Sequence, residues 1–189
     1  MSYLAAAVGL LTLLTLFNLI LMLGVIRRLR EHSERLGSLS GAGVPVPAGP
    51  MMPVGETVGA FTTATTDGET VSSELFDGET LVGFFSPGCQ PCKVQLPRFA
   101  AHARSFPGGR DRVLAVVVVG GPDEDPEPYV KALAGVARVV VEPHGGPLYD
   151  AFEVTGFPSV ALVDSSGTVQ ATSARVGDLS AARPQAVGG

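Results

Sequence analysis

The segment from Leu4 to Ile26 is the part of this chain that most restricts its possible folds. It contains no charged residue, and its strongly polar members are Thr12, Thr15 and Asn18. As an α-helix, a segment of this length spans about 34 Å, enough to cross a hydrocarbon core of roughly 30 Å. No strip of polar residues recurs at helical spacing, as it would in an amphipathic helix on a soluble core. The sequence therefore predicts a transmembrane helix.

The residues around this segment favour an uncleaved anchor over a secretory signal peptide. No Lys or Arg precedes the apolar segment, and the basic sequence Arg27-Arg28-Leu29-Arg30 follows it. A signal peptide has a basic start, a shorter apolar core and a small-residue cleavage site. Residues 1–36 are therefore interpreted as an anchor and a polar helical stalk. Because positive charge collects on the cytoplasmic side, the arginines by themselves favour a cytoplasmic C-terminal domain.

Composition divides the rest of the chain into a linker, a domain and a tail. Residues 37–53 carry no charge and contain four Gly and four Pro, which predicts an extended, flexible linker. Residues 54–175 are predicted to form one domain, and residues 176–189 a weakly structured tail. From Val54 onward there are nine Lys and Arg against sixteen Asp and Glu, and the formal net charge of the whole chain is −5. An acidic domain repels a phosphate backbone, so no nucleic acid is expected as a partner.

Apolar runs and turn signals in the domain predict alternating strands and helices. The Asp67-Gly68 turn predicts a hairpin over residues 61–71. The run Val113 to Val119 has no polar residue, as expected for a strand covered on both faces. This order predicts an α/β fold with a mixed central sheet flanked by helices. The other predicted elements are strands at residues 81–85, 137–141, 159–163 and 168–172, and helices at residues 89–105, 126–134 and 147–154.

The two cysteines of the chain, Cys89 and Cys92, lie where a predicted buried strand gives way to a helix. Unpaired N–H groups and the helix dipole stabilise a thiolate at the first turn, which lowers the pKa of Cys89 from its usual value of about 8.5. Cys92 is one turn further along, where it can attack a mixed disulfide formed by Cys89. The sequence therefore predicts a nucleophilic and a resolving cysteine that form a redox-active disulfide.

Two other interpretations of the pair fit the sequence less well. A zinc site requires further Cys or His ligands, and no second Cys pair or suitably spaced His is present, so no metal is expected. A structural disulfide over so short a loop would constrain the unfolded chain only slightly. No organic cofactor is expected either, since thiol exchange needs only the sulfur atoms.

With the residues around Pro158, the cysteine motif resembles the thioredoxin superfamily over roughly residues 54–172. Lys93 follows the second cysteine, Pro97 lies further along the same predicted helix, and Val154-Thr155-Gly156-Phe157-Pro158 resembles the cis-proline loop of that family. The resemblance implies that Pro158 is cis and faces the cysteine pair, and that Phe157 offers backbone groups to an extended substrate. Further substrate contacts are expected from the residues that flank the cysteines, namely Pro87, Gly88, Gln90 and Pro91.

The anchor, linker and motif together resemble the TlpA/ResA-type membrane-anchored thiol–disulfide oxidoreductases, and also the accessory thioredoxin-like proteins of methylamine dehydrogenase maturation. This resemblance implies a disulfide-containing client protein, a membrane reductant that restores the dithiol, and a single-pass protein of the cell membrane with an extracytoplasmic redox domain. We prefer this orientation to the one that the arginines favour, because a large folded domain can be translocated regardless of nearby charge.

Three positions depart from the pattern of these families. Gln95 is found where many TlpA-type proteins carry Glu, and Gly83 is found where thioredoxin has a buried acid. The usual Trp before the cysteines is absent from Phe85-Ser86-Pro87-Gly88. Proton transfer during exchange must then use water, Lys93 or another group that the sequence does not identify.

The sequence as a whole predicts an enzyme, a membrane-anchored thiol–disulfide oxidoreductase that reduces or exchanges disulfides in partner proteins. Two alternatives remain open. A non-catalytic thioredoxin-like binding or maturation module is favoured by the missing acids, and a peroxidase-like redoxin lacks the usual Thr before the reactive Cys. His102 is expected on the surface and His144 in a loop, and the run Asp123-Glu124-Asp125 is expected to cap the helix that follows it.

Overall fold

A computed structural model describes Thr15 and residues 49–179 of the chain. The predicted transmembrane segment apart from Thr15, the stalk, most of the linker and residues 180–189 lie outside the described residues. Within the described part, no helix combines the length and the apolar character needed to cross a bilayer.

Residues 49–179 form a five-stranded mixed sheet, a two-stranded hairpin and helices. The hairpin consists of β1 (Thr62–Ala64) and β2 (Thr70–Ser72). The strands of the sheet are β3 (Thr80–Phe85), β4 (Val113–Val119), β5 (Arg138–Pro143), β6 (Ser159–Val163) and β7 (Val169–Ser173). The helices are α1 (Gln90–Arg104), α2 (Glu127–Leu133) and α3 (Pro147–Ala151), and short 3₁₀ turns cover Ser73–Leu75, Gly109–Arg112 and Val176–Asp178.

The strand order in the sheet is β5-β4-β3-β6-β7. β3 and β5 run parallel to β4, and their connections contain α1 and α2, as parallel pairing requires. β6 runs antiparallel to both of its neighbours. The α/β fold with a mixed central sheet is thus confirmed. The largest difference from the predicted elements is at α3, which ends before Val154 because Glu153 has a left-handed φ of 48°.

Alternating side chains of β3 fill the cores on the two faces of the sheet. Phe84 packs against Phe152 on one face, with ring centroids 5.2 Å apart, and Phe85 packs against Phe99 of α1 on the other, with centroids 5.1 Å apart. All of β4 except the partly exposed Val119 is buried, as the apolar valine run predicts. This packing holds the carboxyl end of β3 and the start of α1 in a fixed relation.

The end of the predicted linker packs against the folded unit. Met51 and Met52 are 1% and 3% exposed, and the Met52 N–H donates to the Phe152 carbonyl oxygen at 3.1 Å. The Pro50 carbonyl oxygen accepts a hydrogen bond from the Gly156 N–H at 3.1 Å. The two methionines provide the large apolar side chains that make burial favourable. These residues are therefore part of the packed structure.

The start of the predicted tail is also packed. Val176 and Leu179 are 7% and 3% exposed, and both belong to the core on the α1 face of the sheet. Their apolar side chains, separated by one turn, explain why the packed structure continues past residue 175.

Candidate active site

Cys89 and Cys92 lie at the start of α1, directly beyond the end of β3. After Phe85 the chain turns at Ser86, whose carbonyl oxygen accepts a hydrogen bond from the Cys89 N–H at 3.1 Å. Cys89 is the N-cap residue of α1, and the Cys92 N–H donates to its Sγ at 3.2 Å. Because the first N–H groups of a helix have no partner inside it, this sulfur takes the place of a capping oxygen.

The two sulfurs are joined in a disulfide, with the Cα atoms 5.3 Å apart. Cys92 is 0% exposed, whereas Cys89 is partly exposed. Cys89 is therefore positioned to meet a sulfur atom of another molecule, and Cys92 is positioned to react only with Cys89.

The loop that precedes β6 lies against the cysteine pair. The peptide bond between Phe157 and Pro158 is cis, and the Phe157 carbonyl oxygen lies 3.5 Å from Cys89 Sγ. Pro158 is buried and Phe157 is half-buried. The fold thus brings Phe157 to the reactive sulfur across 68 positions of sequence. The other predicted contact residues flank Cys89 along the chain and are exposed or half-buried: Pro87, Gly88, Gln90 and Pro91.

Phe157 belongs to an aromatic cluster that the sequence did not predict. Its ring centroid lies 5.6 Å from that of His144 and 6.2 Å from that of Tyr149. His144 follows β5 and Tyr149 belongs to α3, so their spacing in the chain carried no signal that they meet near Cys89. Aromatic rings that are partly open to solvent offer a contact surface for a partner protein.

The position of the buried thioredoxin acid is closed by aromatic rings. A Cβ atom on Gly83 would lie 2.6 Å from Phe99 Cε2 and 3.0 Å from Phe85 Cε2. Both rings belong to the same buried cluster as Cys92. The interior next to the cysteine pair is therefore hydrocarbon at this point, and residue 83 cannot exchange protons with the cysteines.

Gln95 occupies the second position where the family resemblance leads one to expect an acid. It lies one turn after Cys92 and is 9% exposed, and its Oε1 has no hydrogen-bond partner among the residues that the structure describes. An amide does not titrate in the physiological range. Neither position that the family resemblance singles out therefore supplies a proton donor or acceptor.

Glu142 is a buried carboxylate near the aromatic cluster. It is 5% exposed, and its two oxygens accept hydrogen bonds from the N–H groups of Leu148 at 3.2 Å and Tyr149 at 2.6 Å. Burial raises the pKa of Glu142 above its usual value, and the two backbone hydrogen bonds lower it in part. Glu142 thereby ties β5 to the start of α3, which carries one of the rings beside Phe157. The feature of the sequence that could have indicated the role of Glu142 is a charged residue at the end of an apolar strand.

The acidic run after β4 has two different roles. Asp125 Oδ1 accepts a hydrogen bond from the Glu127 N–H at 3.0 Å at the start of α2, although the N-cap residue of that helix is Pro126. Glu124 instead turns toward the cysteine motif: its Oε2 accepts from the Gly120 N–H at 2.8 Å, and a Cβ on Gly88 would lie 3.4 Å from its Cδ. The sequence analysis did not predict this position of Glu124.

The remaining titratable side chains give no metal site within residues 49–179. No three His, Cys, Asp or Glu side chains of this part of the chain are arranged to hold a metal ion. His102 is exposed on α1, where its ring centroid lies 6.2 Å from that of Phe106.

Comparison with known proteins identifies the family. Residues 54–172 match the model of the AhpC/TSA family. The chain belongs to the AhpC/TSA family. A curated relative of this AhpC/TSA protein, sporulation thiol-disulfide oxidoreductase A of Bacillus subtilis (strain 168), is 24% identical over 123 residues, which cover 64% of this chain and 73% of the relative.

Solved structures share the fold of this AhpC/TSA protein. The thioredoxin domain of a thiol-disulfide oxidoreductase from Bacteroides vulgatus matches with a TM-score of 0.54 and 23% identity, covering 68% of this chain and 93% of that one. A thiol:disulfide interchange protein from Bacteroides sp. matches with a TM-score of 0.53 and 23% identity, covering 68% and 86%. The predicted thioredoxin-like fold and the predicted relation to the thioredoxin superfamily are confirmed.

Proposed function

We propose that this AhpC/TSA protein is a membrane-anchored thiol–disulfide oxidoreductase that reduces or exchanges disulfides in partner proteins. The observation that carries the proposal is the pairing of a partly exposed Cys89 with a fully buried Cys92 at the first turn of α1, beside the Phe157 carbonyl oxygen. Similarity to proteins named thiol-disulfide oxidoreductases supports the same class of reaction.

The first step is the attack of Cys89 on a client disulfide. In the reduced protein, the Cys92 N–H and the N-terminal end of α1 stabilise negative charge on Cys89 Sγ. The thiolate forms a bond to one client sulfur, and the electron pair of the client disulfide leaves with the other client sulfur. That client thiolate takes a proton from solvent, and a mixed disulfide with Cys89 remains.

The second step resolves the mixed disulfide. Cys92 loses its proton and its sulfur attacks Cys89 Sγ, so that the Cys89–Cys92 bond forms while the bond to the client breaks. The second client sulfur leaves as a thiolate. Two electrons have then moved from the cysteine pair to the client, and the protein is left in the oxidised form that the structure shows. A membrane electron-transfer protein with a reduced thiol pair would return the two electrons.

Water is the proton carrier that this site favours. Residue 83 has no side chain, and Gln95 cannot titrate, so the proton of Cys92 has no buried acid or base at either of these positions. We infer that the proton passes to solvent at the partly exposed Cys89. Exchange is expected to follow the ionisation of the cysteines themselves, without a separate step from a buried carboxyl at these positions.

The membrane part of the proposal rests on the sequence. The segment Leu4–Ile26 is uncharged and long enough to cross a bilayer. We place the redox domain outside the cytoplasm, in a compartment where disulfides form and need exchange. Protease treatment of intact spheroplasts tests this orientation: digestion of the domain supports it, and protection until the membrane is broken overturns it.

Insulin reduction by the full-length protein in detergent micelles tests the activity. With dithiothreitol as reductant, we expect precipitation of insulin to be faster than with dithiothreitol alone, and Cys89→Ser to abolish the gain. In a separate incubation without dithiothreitol, pre-reduced Cys92→Ser is expected to accumulate a mixed disulfide with insulin, because Cys89 can still attack but no second thiol releases it. Wild-type turnover no greater than that of Cys89→Ser would leave the tethered, non-catalytic binding module as the function.

Peroxide consumption tests the peroxidase-like alternative. The three residues before Cys89 are Ser86, Pro87 and Gly88, without the Thr that such redoxins usually carry. We therefore expect hydrogen peroxide to be consumed no faster by the wild-type protein than by Cys89→Ser. Rapid, Cys89-dependent consumption would favour the peroxidase.

A further inference from the structure

An open groove of about 500 Å³ begins at the residues that precede Cys89 and runs between α1 and α2. We call it the α1–α2 groove. Pro87 and Leu96 form its apolar wall on the α1 side, and Pro128 forms the wall on the α2 side. Because the groove adjoins Cys89, a client whose disulfide reaches that sulfur can lay the residues beside its own cysteine along the groove.

The polar lining of the groove is mainly negative. Asp123, Glu124 and Asp125 line it, and Lys93 is the cation among its lining residues. Glu124 is the acid whose carboxylate lies beside the cysteine motif, and its hydrogen bond from the Gly120 N–H at 2.8 Å fixes its orientation. A carboxylate oxygen has more than one acceptor position, so this hydrogen bond leaves Glu124 able to bind a donor in the groove.

Tyr129 provides a second, independent indication of a ligand. It lines the groove and is 5% exposed, and its Oη has no hydrogen-bond partner within residues 49–179. Burial, and then the charge of Glu124, raise the pKa of Tyr129 above its usual value. The hydroxyl therefore keeps its proton at neutral pH and lies within the field of the carboxylate. A buried hydroxyl without a partner is unfavourable, and a ligand N–H that donates to the hydroxyl oxygen would reduce that cost.

We propose that the α1–α2 groove binds the client segment beside the reactive disulfide and selects a cationic side chain, above all Arg, that pairs with Glu124 and Tyr129. The inference rests on the proposed function, since the occupant is the client of that reaction. A planar guanidinium presents several N–H donors, enough for a carboxylate and a neighbouring hydroxyl oxygen. Its aliphatic stem would lie against Pro87 and Leu96.

Matched disulfide peptides test the selection. Three peptides differ only in the residue next to the reactive cysteine, which is Arg, Gln or Glu, and each is reduced by the full-length reduced protein in detergent micelles. We expect the second-order rate constant to be about fivefold higher for the Arg peptide than for the Glu peptide at about 20 mM salt. This ratio should fall toward one at about 500 mM salt, because the interacting charges are partly exposed.

Two variants locate the selection in the groove. Glu124→Gln is expected to bring the ratio of the rate constants for the Arg and Glu peptides close to one, and Tyr129→Phe is expected to lower it. Asp111→Asn makes the same change of charge in the 3₁₀ turn before β4, at the opposite end of that strand from Glu124, and should keep the wild-type ratio. Because both peptides meet the same thiol in each variant, the ratio cancels any effect of the substitution on Cys89 itself.

The outcomes separate this inference from the proposed function. Equal rate constants for the three peptides with the wild-type protein overturn the inference and leave the oxidoreductase standing. A ratio that Glu124→Gln retains, or that Asp111→Asn loses equally, also overturns it, because the preference would then come from the overall charge of the domain. If no peptide reacts faster than with Cys89→Ser, the proposed function itself fails. If Glu124→Gln does not fold, the inference is tested by Tyr129→Phe and by the salt dependence of the wild-type ratio. A ratio that neither Tyr129→Phe nor high salt lowers then overturns it.

Discussion

The ring of Phe99 in α1 occupies the space that a side chain on Gly83 in β3 would need, with its Cε2 atom 2.6 Å from the position of a Cβ. This contact joins the strand that leads to Cys89 with the helix that carries Cys92. The helix can therefore lie close to the strand because residue 83 is glycine. The same contact explains why the acid of thioredoxin has no room here.

Gly83→Ala is expected to lower the free energy of unfolding by about 1–3 kcal/mol, because the added methyl group must displace Phe99 or Phe85 in a filled core. Urea unfolding followed by circular dichroism measures the change. Gly135→Ala is the control, since no atom lies within 4 Å of a Cβ at that position. Equal unfolding free energies for Gly83→Ala and the wild type would contradict the tight packing of β3 against α1.

Phe157→Ala is expected to raise the KM for a protein client about tenfold, because the variant removes the ring that packs with His144 and Tyr149 beside Cys89. The rate at which iodoacetamide alkylates reduced Cys89 should stay the same, because the group of residue 157 that faces Sγ is the backbone carbonyl. His102→Ala is the control, because it removes an aromatic ring from an exposed position of α1 and should leave the KM unchanged. A changed alkylation rate with an unchanged KM would assign the side chain a role in tuning the thiol instead.

Glu142→Gln is expected to become more stable relative to the wild type as the pH rises. Burial raises the pKa of Glu142 in the folded protein, so the folded state binds its proton more tightly than the unfolded state. The contribution of that protonation to the free energy of unfolding is present below the pKa of Glu142 in the unfolded state, near 4.5. It is lost as the pH rises through the higher pKa of the folded state. Above it, the wild type must bury a charge that Gln lacks. Unfolding free energies of both proteins between pH 4 and pH 8 give the slope, and the opposite slope would contradict this assignment.

Asp164→Asn is expected to remove an acid-sensitive contribution to stability. The side-chain hydrogen bond from Ser166, with backbone donors from Ser166 and Thr168, lowers the pKa of Asp164 below its usual value of 3.8. Such a group stabilises the fold above the unfolded pKa, and the stabilisation is lost as the pH falls through the folded pKa. The wild type should therefore exceed the variant in stability at pH 6, and the difference should shrink below about pH 4. A stability difference between the wild type and Asp164→Asn that is independent of pH would refute the explanation.

The elements of the domain could be predicted from the sequence because their signals are local. The valine run predicts a strand buried on both faces, and β4 has that burial. The two cysteines at the junction of an apolar run and a helix predict a site at the end of β3, where the pair lies. The end of α3 and the packing of Met51 could not be predicted, because a left-handed residue and a partner surface distant in sequence determine them.

The sequence alone determines the order of strands and helices and the position of a reactive sulfur. Both depend on interactions between a few neighbouring residues, namely hydrophobic spacing and the unpaired N–H groups at the start of a helix. Only the folded arrangement determines that Phe157 lies against Cys89, that Phe99 fills the space beside Gly83, and that Glu124 turns toward Gly88. These contacts join residues that are far apart in sequence, and they depend on how strand ends and helices pack. No local pattern of residues carries that information.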